Sequence, residues 1–139
     1  MTASPMTRSV TFLVLDDDAD MRFLHRRELQ KEFPGCMIVE CETTEEALMR
    51  SADVCLDAVL TDHTLRGEDG AVFIVRLREQ GVDCPVIMVT GSGDPKVHEA
   101  AYAAGATKVF FGTKLGFARY LRPILERAGS LVPFGKAQM

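Results

Sequence analysis

The sequence predicts an α/β domain built on a doubly wound parallel sheet of five strands, flanked by five helices. Three observations carry that prediction. Apolar runs of strand length alternate with helix-length segments five times. The runs are continuous rather than alternating, as strands covered on both faces require. The chain has 139 residues, the length of one domain at roughly 150 residues each. Right-handed crossovers follow from the β-α-β rhythm.

Each element has a local reason. Thr11–Leu15 is the first apolar run, and a helix-length segment, Met21–Phe33, follows it. Pro34-Gly35 breaks that helix before the second run, Met37–Cys41. Thr43 and Glu46 form a capping box that opens a helix over Glu45–Ser51. Ala58–Thr61 is the third run. The next helix, Ala71–Gln80, carries Val72, Phe73, Ile74, Val75 and Leu77 and stops at Gly81. Val86–Val89 is the fourth run. Asp94 caps a helix with Pro95 at its first position, and Gly105 closes it. Val109–Phe111 is the fifth run, and Phe117–Arg127 the last helix, with Phe117, Leu121, Ile124, Leu125 and Ala128 on one stripe. Pro123 inside it predicts a kink or a division. Residues 1–8 and 129–139 read as tails around a domain at 9–128, with no output domain after it.

Composition narrows the function. Sixteen Lys+Arg against twenty Asp+Glu give a net charge of −4, which argues against a nucleic-acid partner. No apolar run approaches the ~20 residues that span a bilayer, and Met1–Thr7 lacks the pattern of a secretory signal, so a cytoplasmic location without membrane insertion is expected. Cys36, Cys41, Cys55 and Cys84 have no metal-binding spacing and read as small core residues in a reducing compartment.

The chemistry lies at the strand ends, where open α/β sheets bind ligands. Asp16, Asp17 and Asp18 follow the first strand, Glu42-Thr43 the second and Asp62 the third. Thr90 to Gly93 follow the fourth, and Gly112, Thr113 and Lys114 the fifth. Converging carboxylates repel unless a cation neutralises them or some pKa values rise. Hard oxygens without His or Cys favour Mg²⁺. A hydroxyl at Thr90 and an ammonium at Lys114 suit phosphoryl oxygens, so the set reads as a phosphate-plus-magnesium site with a carboxylate nucleophile. A solvated acidic loop explains Asp16–Asp18 alone but not the four strand ends together.

These residues resemble a known family. Phe12-Leu13-Val14-Leu15-Asp16-Asp17-Asp18 with Arg22, Ala58-Val59-Leu60-Thr61-Asp62 with Gly67-Glu68-Asp69-Gly70, Pro85-Val86-Ile87-Met88-Val89-Thr90-Gly91, and Ala103-Ala104-Gly105-Ala106 are similar to the motifs of response-regulator receiver domains. The resemblance implies a flavodoxin-like fold with strand order 2-1-3-4-5. It implies a single-domain signalling protein, not an enzyme in its own right, whose Asp62 takes a phosphoryl group from a histidine kinase or histidine phosphotransfer protein. Asp16, Asp17, Asp62 and the backbone carbonyl of Thr64 would hold Mg²⁺. Thr90 and Lys114 would bind the phosphoryl group, and Phe111 would be the aromatic switch coupled to Thr90. A downstream protein would read the surface of helix 4, strand 5 and helix 5. Met21 and Leu24, on the first helix, are candidates for the phosphodonor contact, with core packing as the alternative.

Departures from the family pattern are specific. Arg66 and Glu68 replace a proline and an apolar residue, which predicts a looser turn and an Arg66–Asp69 ion pair. His63, next to Asp62, is expected to point away from it by strand alternation. His25 and Glu28 stand where relatives carry apolar residues, and His98 reads as solvated. Small polar residues at Thr64 and Ser92 leave room for water and predict a moderate to short phosphate lifetime. Lys114 comes two residues late and lacks the following proline; Lys108 flanks the expected position on the other side but begins the fifth strand, at its wrong end. That doubtful lysine keeps a second reading open, a phosphate-independent interaction module. A phosphotransferase or phosphohydrolase of this fold would need cap segments for which the chain has no room.

Overall fold

The computed structural model describes residues 9–112 and 116–131. The expectations for Lys114, for residues 1–8 and for the chain beyond 131 lie outside the described residues. Ten main elements run in order: β1 Thr11–Leu15, α1 Ala19–Glu32, β2 Met37–Cys41, α2 Thr44–Asp53, β3 Ala58–Asp62, α3 Gly70–Glu79, β4 Val86–Thr90, α4 Pro95–Ala104, β5 Lys108–Phe111 and α5 Phe117–Arg127. The sheet is parallel throughout, in the order β2-β1-β3-β4-β5. The chain winds one way from β1 to β2 and the other way from β3 onward. The crevice is therefore forced to the carboxyl ends of β1 and β3.

Strand alternation divides the interior into two cores. Leu13 and Leu15 of β1 join Phe73, Ile74, Leu77 and Met88 on one side of the sheet. Phe12 and Val14 join Leu29, Phe33, Ile87, Phe117, Leu121 and Leu125 on the other. All five β1 residues are buried, which is why its run is apolar without a break. At the sheet's outer edge the backbone N–H of Val109 donates to the Tyr102 hydroxyl at 3.1 Å.

Carboxylates and hydroxyls start four of the five helices. Asp18, Thr43, Asp69 and Asp94 accept from backbone N–H groups in the first turns of α1, α2, α3 and α4. The capping box is reciprocal in kind, since Glu46 accepts from the N–H of Glu42. Gly116 offers α5 no side chain, and Glu28 of α1 takes over: its Oε2 accepts from the N–H groups of Gly116 at 2.9 Å and Ala118 at 3.0 Å. Arg122 fastens the same two helices, through Glu32 at 2.6 Å and across the Phe33 ring at 5.0 Å.

The structure differs from the sequence reading at several points. α5 is undivided through Pro123, whose exposed position lets water reach the carbonyl that loses its partner, while buried Leu121 and Leu125 hold the helix down. The Asp62–Gly70 turn contains an unanticipated antiparallel ladder, Thr64–Leu65 against Glu68–Asp69. That turn is tied rather than loose: the Thr44 hydroxyl donates to Glu68 at 2.6 Å, and Arg76 lies 3.7 Å from the same carboxylate. The ion pair reaches Glu68 from Arg76, while Asp69 caps α3. All four cysteines are free, but only Cys41 is fully buried and Cys55 is exposed. Leu131 packs against the α1–α5 core.

Arg78 joins three segments. Its guanidinium donates to the carbonyls of Gly105, Val82 and Cys84 at 2.7–3.2 Å, tying the end of α3 to the approach to β4 and the end of α4. Gly105 permits this because a Cβ there would lie 2.9 Å from Arg78 Cγ, and its φ is +116°. Replacement Arg78→Ala should lower stability by about 3 kcal/mol, since three carbonyls lose a charged donor. Urea unfolding should show a lower midpoint at unchanged slope.

Candidate functional site

Asp16 stands one residue beyond β1 and is 2% exposed. Its backbone is held on both sides, the N–H donating to the Cys41 carbonyl at 3.1 Å and the carbonyl accepting from Arg22 at 2.6 Å. Its Oδ1 accepts from the Asp18 N–H at 2.9 Å. Asp62 ends β3, and its Oδ1 accepts from the His63 N–H at 2.7 Å. Asp16, Asp17 and Asp62 each offer a carboxylate oxygen within 4.8 Å of the others.

Such a set is unfavourable when fully ionised. Burial, with the charges of Asp62, Asp17 and Asp18, pushes the Asp16 carboxyl up to about 6, against the downward pull of the Asp18 N–H. Burial also raises Asp62; the N–H groups of His63 and Thr64 pull it back. A site of hard oxygens whose own members are forced toward protonation fits a divalent cation, Mg²⁺ or Ca²⁺. Asp18 is used otherwise, accepting from the Asp20 N–H as the cap of α1.

The structure brings Thr90, Phe111 and Thr64 to the same end of the sheet. Thr90 ends β4, next to β3, and is 2% exposed; its hydroxyl accepts from the Ser92 N–H at 3.0 Å. Phe111 pairs with Thr90 in register, and its ring points outward, 52% exposed. Thr64 lies in the short ladder directly after Asp62 and His63. Lys108 begins β5 opposite Ile87, at the far end from the carboxylates. Lys114 is outside the described residues. Met21 is half-buried and Leu24 is 48% exposed, with Phe23 beside them at 55% under the Arg27 guanidinium. His25 takes a core place, 4% exposed and edge-on to Phe117 at 5.4 Å, and burial lowers its pKa.

The structural roles of three residues were not legible in the sequence. His63 lies beyond the last residue of β3, so alternation does not govern it; its ring meets the Thr64 hydroxyl at 3.2 Å and its positive form would lower the Asp62 pKa. Arg22 braces the acidic loop, bonding the Asp16 carbonyl and pairing with Glu40 at 3.4 Å and Glu42 at 3.5 Å. Gly70 is a steric requirement: a Cβ there would sit 2.2 Å from the Asp62 carbonyl oxygen. The spacing of Gly70 from Asp62 was visible, but the close approach behind it was not.

Residues 12–111 match the family model described as the response regulator receiver domain. The chain belongs to this family. Among curated relatives, this receiver domain is 31% identical over 99 residues to the transcriptional regulatory protein ResD of Bacillus subtilis, covering 71% of this chain and 40% of ResD. It is 34% identical over 125 residues to the phosphate regulon transcriptional regulatory protein PhoB of Pseudomonas aeruginosa, covering 86% of this chain and 53% of PhoB. The chain thus spans about half or less of the length of these relatives. A two-component response regulator from Clostridium difficile shares the receiver fold with a TM-score of 0.78 at 20% identity, covering 86% of this chain and 98% of its own. Among the described residues, no helix is long and apolar enough to cross a membrane.

The raised Asp16 pKa has a sign that can be checked. Its folded value exceeds the unfolded one, so its contribution to stability is full below the ordinary carboxylate value of 3.8 and is lost as pH rises through about 6. In metal-free protein above that pH, Asp16→Asn should be more stable than the parent by about 2 kcal/mol. The difference should vanish at the acid end of the range. Thermal or urea unfolding of both proteins across that window measures it.

Proposed function

We propose that the protein is a phosphoryl-accepting receiver in which Asp62 is the nucleophile. The observation that carries this reading is the meeting of Asp62 with two other carboxylates, one of them buried, at the crevice where the sheet's winding reverses. Nothing in the packing of a passive fold requires that repulsion, and a site for a cation and a phosphoryl group accounts for it.

The donor is a histidine kinase or a histidine phosphotransfer protein. One carboxylate oxygen of Asp62 forms a bond to phosphorus while the phosphorus–nitrogen bond of the donor phosphohistidine breaks. The imidazole leaves with the bonding electrons and takes up a proton. Asp16, Asp17, Asp62 and the Thr64 carbonyl would hold Mg²⁺, which when bound supplies positive charge against the carboxylate and phosphoryl oxygens. Buried Thr90 presents its hydroxyl from the neighbouring strand end, ready to donate to a phosphoryl oxygen. Lys114 neutralises another of those oxygens. The modified Asp62 then biases Thr90 and the Phe111 ring, and a partner reads the result on α4, β5 and α5. Half-buried Met21 and exposed Leu24 supply contacts for the phosphodonor. The small side chains of Thr64 and Ser92 admit water for hydrolysis of the aspartyl phosphate.

With acetyl phosphate and Mg²⁺, intact-mass spectrometry should find one added phosphoryl group, absent from Asp62→Asn. Labelling of Asp62→Asn at the parental rate would reject the assignment, and no labelling of the parent would favour the phosphate-independent module. Titration of Asp17→Ala should show Mg²⁺ affinity reduced at least tenfold, about 1.4 kcal/mol. Lys114→Ala should slow phosphorylation or block its conformational readout, whereas Lys108→Ala, at the far end of β5, should do neither.

A further inference from the structure

We infer that His98 is a positioning residue for the aromatic switch, holding the Phe111 ring in its outward setting through a clamp on Ser92. The inference rests on the switch roles proposed for Thr90 and Phe111, and its test separates the two.

Three bonds meet at Ser92. Its N–H donates to the Thr90 hydroxyl at 3.0 Å, its own hydroxyl accepts from the Asp94 N–H at 3.2 Å, and its carbonyl lies 2.8 Å from His98 Nε2. A carbonyl oxygen only accepts, so Nε2 carries the proton and donates. His98 stands on the first turn of α4 and reaches back over the segment that leads into its own helix. The imidazole is half-buried, not solvated as the sequence suggests.

The fixed imidazole lies beside Phe111, with ring centroids 6.2 Å apart and planes inclined at 53°. The floor under the ring is bare backbone: a Cβ on Gly93 would come within 3.2 Å of Phe111 Cζ and 3.4 Å of Cε1. Gly93 and His98 thus form a shallow seat for an aromatic ring that would otherwise lie in water. The seat closes a circuit, because the Thr90 hydroxyl holds Ser92, Ser92 holds His98, His98 flanks Phe111, and Phe111 is paired to Thr90 through the sheet. A Thr90 hydroxyl drawn toward Asp62 displaces the residue that orients His98, and the outward seat is lost at the moment the inward place opens. Until then the seat favours the outward ring and lowers the fraction of protein in the responsive state.

The test is NMR of the full chain without any phosphodonor. The ring-current displacement of the Gly93 α-protons, defined by comparison with Phe111→Ala, reports the seated ring. In His98→Ala most of that displacement should disappear. In His98→Gln, whose amide can still donate to the Ser92 carbonyl, most of it should return. With acetyl phosphate added, His98→Ala should label Asp62 severalfold faster than the parent. A Gly93 displacement unchanged in His98→Ala, no return in His98→Gln, or slower labelling of His98→Ala would each overturn the inference. The ring signature is read before phosphorylation, so a protein whose Asp62 accepts no phosphoryl group still decides the role of His98.

Discussion

Mutual repulsion among three carboxylates is the constraint around which this domain is arranged. Asp16, Asp17 and Asp62 come from two adjacent strands whose ends are fixed by the sheet register, so the groups cannot separate without breaking strand pairing. The scaffold answers with backbone dipoles and bracing. N–H groups of Asp18, His63 and Thr64 point at the carboxylates, and Arg22 is held on the Asp16 carbonyl and on Glu40 and Glu42 instead of on the Asp16 carboxylate. Positive charge thereby stiffens the loop yet leaves the acidic oxygens open to a ligand.

Much of the architecture was legible because a parallel sheet leaves an unambiguous mark. All five residues of β1 are buried, and their unbroken apolar run with acids at its end read at once as a core strand feeding a crevice. Caps were equally legible where one side chain does the work, as at Asp94-Pro95 and Thr43. What escaped the sequence depends on distant partners. Glu28 looked misplaced on α1 because the Gly116 N–H it accepts from, at the start of α5, lies 88 positions later. The ladder at Thr64–Leu65 escaped because two-residue strands carry no periodicity. Glu68 looked like a defect in the turn, whereas the Thr44 hydroxyl that receives it stands on α2. His98 looked solvated because nothing in its neighbourhood along the chain reveals a carbonyl folded back to meet it.

α1 and α5 form a second unit of the same logic. The buried His25 ring, the Glu28 cap and the Arg122 clamp all cross between these two helices. The start of α5 is therefore set by α1 rather than by its own first turn. The helix that carries Met21 and Leu24 thereby fixes where α5 begins.

The Tyr102 hydroxyl at the margin of the sheet has a different consequence. β5 is an outermost strand, and an unpaired N–H there would invite a strand from another molecule to add itself to the sheet. Tyr102 occupies the Val109 N–H with a side-chain oxygen at 3.1 Å, so the sheet is closed to growth at that position by one aromatic residue of α4. An encounter at that position meets a side chain, which can tell partners apart, in place of an open main-chain donor, which accepts any extended segment.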